Sequence, residues 1–151
     1  MLVRLPQPYD FELSTARFDV YGRDRATLWQ DGGLYRVFQG AEARIEAASG
    51  GVEVVPHSAA IEAEVLNFLG LPFDLDAFGT WASADERLGR VVAALPGLRP
   101  PLQTNPFEAL VTSITAQQVS LQSAAAIRSR FIERYGVPAV HAYVFPERER
   151  I

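Results

Sequence analysis

The sequence of 151 residues lacks cysteine and lysine altogether, and it contains no long apolar run. Without cysteine the chain can form no disulfide and no cysteine-ligated zinc or iron–sulfur centre. No segment approaches the roughly 18 consecutive apolar residues that a membrane-spanning helix needs. The segment from Met1 to Pro6 is too short, and interrupted by proline too early, to be a secretory signal. We therefore expect a cytoplasmic protein that has no membrane partner.

The residues that are present favour a folded protein with an uneven charge distribution. Hydrophobic residues make up 48% of the chain and aromatic residues 11%, which is enough for a sizeable core. The net charge is −4, which argues against a general nucleic-acid binder. Residues 1–86 hold 6 Arg and 14 acidic residues, a balance of −8, whereas residues 87–135 hold 6 Arg and 2 Glu, a balance of +4. The two halves are therefore expected to have different roles.

The first third of the chain has the alternating pattern of β-strands. Turns rich in glycine, Asp31–Gly33 and Ser49–Gly51, are typical of hairpin connections, where positive φ is needed. Together they predict an antiparallel sheet of about four strands that ends at Pro56. The predicted strands are Arg17–Tyr21, Leu34–Phe38, Ala43–Ala47 and Val52–Val55.

From Ser58 onward the apolar residues recur at helical spacing. Ser83 with Glu86, and Asn105 with Glu108, have the spacing of a capping box, in which each partner's side chain caps the other's backbone amide. A last helix is predicted to begin after Ser120 and to run to Tyr135, with Gly136 as its C-terminal stop. Strands followed by helices indicate an α+β fold. We expect an antiparallel sheet domain over residues 1–57 and a helical domain over residues 58–151.

One stretch of the helical half resembles a known family. The matching segments are Gly97–Pro101, Asn105–Val111, Ile114–Ser120, Arg134–Gly136 and Tyr143–Glu147. They are similar to the helix-hairpin-helix DNA glycosylases, most closely to the bacterial DNA-3-methyladenine glycosylase II branch. In that family a glycine-leucine-arginine entry precedes a helix with the pattern N-P-F-E-x-L-V, and this helix ends at a turn that contains glutamine. The resemblance implies base-excision repair, with damaged double-stranded DNA as the partner.

The resemblance implies a role for the turn between the last two helices. A glycosylase must flip its target nucleotide out of the duplex, and a side chain must then fill the gap. By the family's pattern Gln118 is the gap filler, with Gln117 packing behind it, and Ser120 belongs to the same DNA-binding turn. Close relatives often carry leucine at the wedge position. The alternative is that both glutamines merely cap the neighbouring helices.

The arginines of the helical half leave further alternatives open. Arg99 could contact a DNA phosphate, or it could pair with an acidic residue in the core. Arg128, Arg130 and Arg134 are expected to form a solvated face of the last helix. Trp81 is expected in the core or at a subdomain interface.

The family's DNA-binding hairpin and its catalytic aspartate would lie beyond Pro146. The tetrapeptide Leu95–Leu98 resembles the start of such a hairpin, but Arg99 replaces its second glycine, so we interpret it as a helix end and a turn. We therefore assign no catalytic residue and no cofactor, and we expect an incomplete glycosylase domain that is inactive alone. Its unpartnered apolar helix faces predict self-association. The alternative is a non-enzymatic module that binds DNA or protein.

Overall fold

The glycine-rich turns of the first third connect the strands of one antiparallel sheet in the computed structural model, which describes residues 1–151. The sheet has five strands in the spatial order β1-β5-β4-β3-β2. Their bounds are β1 Leu2–Arg4, β2 Thr27–Gln30, β3 Gly33–Phe38, β4 Ala41–Ala48 and β5 Gly51–Val55. Three of the four predicted strands are confirmed, and β1 and β2 were not predicted.

Two hairpins of the sheet turn through residues with positive φ. Asp31 and Gly32 connect β2 to β3 with φ of 51° and 72°. Gln39 and Gly40 connect β3 to β4 with φ of 49° and 74°. Positive φ at both central positions is the type I′ turn, whose backbone matches the twist of the flanking strands. The first of these turns was predicted from its glycines.

Seven α-helices surround and follow the sheet, which confirms the α+β fold class. None of them is long and apolar enough to span a membrane. A two-stranded sheet and a 3-10 helix at Arg148–Arg150 complete the chain. The helices are α1 Phe11–Thr15, α2 Arg17–Val20, α3 Ala59–Phe68, α4 Leu75–Ala82, α5 Glu86–Ala93, α6 Pro106–Thr115 and α7 Leu121–Tyr135, and the small sheet contains β6 Val137–Pro138 and β7 Tyr143–Val144.

Two predictions of local structure were wrong. The segment predicted as a strand at Arg17–Tyr21 is helix α2, and only Phe18 of this segment is buried, where it stacks on Phe68. The predicted capping box at Ser83 is also absent, because Ser83 ends α4 and Asp85 caps the start of α5. Asp85 is the better cap, since its carboxylate accepts hydrogen bonds from two backbone amides.

The main core lies between the inward face of the sheet and helices α1 to α3. Its largest fully buried side chains include Phe38 of β3 and Ile45 of β4, and Val65 of α3 is also fully buried. Helix α3 therefore shares one core with the sheet, although the sequence predicts that the helical domain begins at residue 58. The division into residues 1–57 and 58–151 remains a proposal.

A tight turn at Gly97 connects the helical region to the start of the fold. Gly97 has a φ of +78°, and its carbonyl oxygen accepts a hydrogen bond of 2.9 Å from the amide of Asp10. This confirms that Leu95–Leu98 is a helix end and a turn. A Cβ atom at Gly97 would lie 2.8 Å from the Asp10 nitrogen, so the close approach needs glycine.

The substitution Gly97→Ala tests this contact. We expect it to lower the free energy of unfolding by about 2–4 kcal/mol, because the left-handed backbone costs about 1–2 kcal/mol and the clash adds to it. Urea denaturation followed by circular dichroism measures the change. The matched control is Gly40→Ala, which has a φ of +74° but no atom within 4 Å of the added Cβ. An equal loss in the two variants would contradict a role for the contact with Asp10.

Candidate nucleic-acid interface

A buried carboxylate lies at the point where the sheet meets the last two long helices. Glu108 of α6 is 1% exposed, and both of its oxygens face the guanidinium of Arg36 on β3. The two distances are 3.3 Å from Nη1 to Oε1 and 2.7 Å from Nη2 to Oε2. Nη1 of Arg36 also donates a hydrogen bond of 2.6 Å to the hydroxyl of Thr27, its cross-strand neighbour on β2. The carboxylate thus connects α6 to the sheet.

The same carboxylate connects α6 to α7. Nη2 of Arg128 donates to Glu108 over 2.6 Å, and Nη1 donates to the hydroxyl of Thr112 over 2.6 Å. Nε of Arg128 donates to Asp24 over 2.7 Å. The other oxygen of Asp24 accepts from the backbone amides of Ala26 and Thr27. The buried network contains Asp24, Thr27, Arg36, Glu108, Thr112 and Arg128, and its four charges sum to zero.

Aromatic rings cover this buried network on two sides. The guanidinium of Arg36 lies 5.2 Å from the ring centroid of Phe68, and that of Arg128 lies 5.0 Å from Phe145. Phe145 also packs against Phe107 of α6 and Phe131 of α7. Planar guanidinium groups stack well on aromatic faces. The rings shield the ion pairs from water, so screening by salt is weak there.

The ion pairs shift the pKa values of Glu108 and Arg128. Burial alone would raise the pKa of Glu108, but the charges and hydrogen bonds of Arg36 and Arg128 outweigh it and hold the pKa below its ordinary value. Burial alone would likewise lower the pKa of Arg128, and Asp24 and Glu108 raise it instead. Glu108 is therefore ionised in the folded protein at neutral pH.

The buried network corrects two predictions from the sequence. Arg128 was expected on a solvated face together with Arg130 and Arg134, but it is buried, whereas the other two are exposed. Asn105 does cap α6, but the Glu108 side chain turns to the arginines and does not complete the capping box. Arg36 and Asp24 were not singled out at all. Spacing along the chain gives no signal for contacts between residues 72 or 104 positions apart.

The turn between α6 and α7 lies at the exposed end of this supported helix pair. Gln118 has a φ of +58°, and it is the only residue with positive φ, apart from glycine, that is outside the two β-hairpins. A left-handed conformation costs such a residue about 1–2 kcal/mol. Because strained residues cluster at functional sites, this turn is a candidate for a contact with a partner.

The structure leaves the glutamines of the turn free. Gln117 and Gln118 are both exposed, and neither carboxamide makes a hydrogen bond to the protein. Their side chains therefore do not cap the neighbouring helices. Ser120 is the N-cap of α7, where its hydroxyl accepts from the amide of Ser123 over 3.1 Å. Their predicted roles in DNA binding remain proposals.

Arg99, the fourth predicted site residue, lies away from this turn and is buried. Its Nη1 donates to the carbonyl oxygens of Phe73 and Gly70 over 2.6 Å and 3.5 Å, just after the end of α3. The backbone amide of Arg99 donates to the hydroxyl of Ser14. Neither alternative from the sequence describes this environment, because no acidic residue forms an ion pair with Arg99 and little of its guanidinium reaches the surface. Its contacts satisfy free carbonyls near a helix end.

One face of α6 is apolar and has no partner in the chain. Leu110 is 58% exposed and Ile114 is 57% exposed, and their spacing of four residues places them on the same side of the helix. Leu121 and Val119 extend exposed apolar surface to the turn. Trp81 of α4, which was expected to be covered, is 66% exposed. The prediction that the helical region has unpartnered apolar faces is confirmed.

Comparison with known proteins identifies the fold. No protein-family model matches the sequence. No curated protein has a significantly similar sequence. Solved structures do match. The 3-methyladenine DNA-glycosylase from Archaeoglobus fulgidus superposes with a TM-score of 0.81 at 19% identity, over 99% of this chain and 57% of that chain. The chain has a DNA glycosylase fold.

Two further structures support this assignment of the fold. MBOgg1 in complex with a low affinity DNA ligand matches with a TM-score of 0.79 at 15% identity, over 99% of this chain and 52% of that chain. The 8-oxoguanine glycosylase/lyase of Clostridium acetobutylicum, in its apo form, matches with a TM-score of 0.72 at 16% identity, over 94% of this chain and 50% of that chain. The chain thus spans about half the length of the structures that it matches.

The substitution Glu108→Ala tests whether the buried network holds the fold together. At pH 7 we expect the free energy of unfolding to fall by about 3–5 kcal/mol, because two buried arginines lose their shared partner. Chemical denaturation followed by tryptophan fluorescence and circular dichroism measures the loss. The matched control is Glu86→Ala, also in the first turn of a helix, whose exposed pair with Arg90 is worth less than about 1 kcal/mol.

The pH dependence of the two proteins completes this test. Because the folded-state pKa of Glu108 is lowered, its ionisation stabilises the fold above the ordinary pKa of 4.5, and this contribution is lost as the pH falls through the folded-state value. The difference between wild type and Glu108→Ala should therefore narrow in acid. A loss no larger than that of Glu86→Ala, or a difference independent of pH, would show that the network is not a major source of stability.

Proposed function

We propose that this chain belongs to the helix-hairpin-helix DNA glycosylase superfamily and acts in base-excision repair. One observation carries the proposal. On a DNA glycosylase fold, the turn between α6 and α7 presents Gln118 in a strained backbone conformation, with a carboxamide that no protein group uses. The resemblance of Asn105–Val111 and Ile114–Ser120 to the bacterial DNA-3-methyladenine glycosylase II pattern is a separate line of support.

The proposed reaction of the whole protein is hydrolysis of the N-glycosidic bond of a damaged purine, most simply an alkylated one. The nucleotide would first be flipped out of the duplex, at a cost of a few kcal/mol in stacking and pairing. Gln118 would then enter the gap and hydrogen-bond to the orphaned base. Ser120 would contribute through its place at the start of α7, and Gln117 would contact DNA beside the wedge.

The two carboxylates of the buried network are engaged in ion pairs and are not available for chemistry. Glu108 and Asp24 are both held in ion pairs with arginine, and residues 109–127 contain no acidic residue. A glycosylase needs a free carboxylate to stabilise the sugar cation or to activate water. We therefore propose that the chain of 151 residues contributes DNA binding and not the chemical step.

A second candidate function, a binding module without catalysis, is favoured by the exposed apolar face of α6. Leu110 and Ile114 would pack against a protein surface, and a second copy of this chain offers the same face for a symmetric contact. Under this proposal the chain self-associates through α6.

The central test of the proposed function compares two duplexes, one intact and one with a stable abasic analogue. We expect the chain to bind the abasic duplex about tenfold more tightly in fluorescence anisotropy, because no base has to be unstacked before the wedge enters. Gln118→Gly should remove this preference without lowering stability, since glycine accepts the positive φ. Gln117→Ala is the control and should keep it.

The same protein should release no 3-methyladenine from alkylated DNA when the products are separated by chromatography. Release by the pure chain would overturn the proposal that it contributes binding alone. A Gln118→Gly variant that retained the full preference for the abasic duplex would show that Gln118 is not the wedge.

Sedimentation velocity over a range of concentrations tests the proposed self-association. We expect wild type to form dimers and the double variant Leu110→Gln, Ile114→Gln to remain monomeric, because both changes remove apolar surface from the contact. The control is Val140→Gln, since Val140 is 82% exposed and lies outside α6. A monomeric wild type at every concentration would argue against the contact.

A further inference from the structure

The turn that joins α6 to α7 carries no charged side chain. It therefore has no charge that would favour one DNA base over another. Residues 109–127 contain no charged side chain. The charges that border this stretch, Glu108 and Arg128, are both committed to the buried network. Arg17 lines a cleft together with Ala116 and Leu121, at the foot of the turn. The side chains presented at the tip itself are Gln117, Gln118 and Val119.

A carboxamide can form two hydrogen bonds with the Watson–Crick edge of each of the four bases. It has a carbonyl oxygen that accepts and an NH₂ group that donates. The Watson–Crick edges of adenine and cytosine each offer a ring nitrogen that accepts next to an amino group that donates. Those of guanine and thymine offer a ring N–H that donates next to a carbonyl that accepts. Rotation of the amide by half a turn converts one match into the other.

That rotation costs the protein little. The terminal torsion of glutamine is broad and close to twofold symmetric. In the structure no hydrogen bond fixes the Gln118 amide in either orientation. The side chain is exposed, so no packing contact needs to be rearranged. Two hydrogen bonds are therefore available opposite each of the four bases.

We infer that Gln118 makes the protein indifferent to the identity of the base opposite the damaged nucleotide. This inference rests on the proposed function, because it assumes that Gln118 faces the orphaned base. Its consequence is a substrate class defined by the flipped nucleotide alone: lesions would be accepted in any pairing context, including mismatches. An arginine at this position would favour edges with acceptors, and a carboxylate would favour edges with donors.

The experiment uses the complete chain and four duplexes that carry a tetrahydrofuran abasic analogue opposite A, C, G or T. Fluorescence anisotropy should give four dissociation constants within about threefold of one another for wild type. Gln118→Glu has the same shape but can only accept hydrogen bonds. It should spread the four constants to about tenfold or more, with guanine bound best and thymine worst, because thymine offers one donor between two acceptors.

The matched control is Gln117→Glu, which introduces the same charge one residue away. It should weaken all four complexes alike, since it repels phosphate without facing the base. An equal spread in the two variants would overturn the assignment of this role to Gln118.

The remaining outcomes separate the inference from the proposed function. The four dissociation constants of wild type could differ by about tenfold or more while the abasic duplexes are still bound more tightly than the intact one. That result would overturn the indifference to the opposite base, but Gln118 could still be the side chain that fills the gap. Equal binding of abasic and intact duplexes would instead contradict the proposed function itself.

Discussion

The shared ion pair of Glu108 with Arg36 and Arg128 is the constraint on which the rest of the structure depends. One carboxylate holds a strand of the sheet, the helix on which it lies and the helix that follows. A buried pair of this kind offers little net stability over apolar packing, but it is costly to break. It fixes how α6 and α7 meet the sheet, and so it fixes where the turn between them points.

The charged side chains of this region are buried, whereas the exposed turn between α6 and α7 is uncharged. Inside the molecule the arginines of the buried network form ion pairs with acidic residues and stack on aromatic rings. The tip outside is uncharged and strained at Gln118, and the carboxamides of Gln117 and Gln118 make no hydrogen bond to the protein. Under the proposed function, a helix pair held firmly against the sheet would limit the ordering entropy that is lost when Gln118 enters the base stack. Under the proposed function, the net negative charge of the chain fits a DNA contact made by shape and hydrogen bonding more than by phosphate attraction.

Local signals predicted local features well. Alternation and glycine turns predicted β3, β4 and β5, and the caps Asn105 and Ser120 predicted where α6 and α7 begin. Arg17–Tyr21 was wrong because alternation over so short a segment is also compatible with a helix that buries only Phe18. The buried network escaped prediction for a different reason. Arginine and glutamate usually face solvent, and only the folded topology brings residues 24, 36, 108 and 128 together.

Native-state hydrogen exchange tests most directly whether the buried network makes the sheet and the α6–α7 pair one cooperative unit. We expect the most protected amides of α6 and α7 to exchange with the same free energy as those of β3 and β4, equal to that of global unfolding. Exchange of the α6 and α7 amides through a separate opening, several kcal/mol below global unfolding, would contradict it. The helix pair would then be only loosely attached to the sheet, and the turn could not be a preorganised wedge.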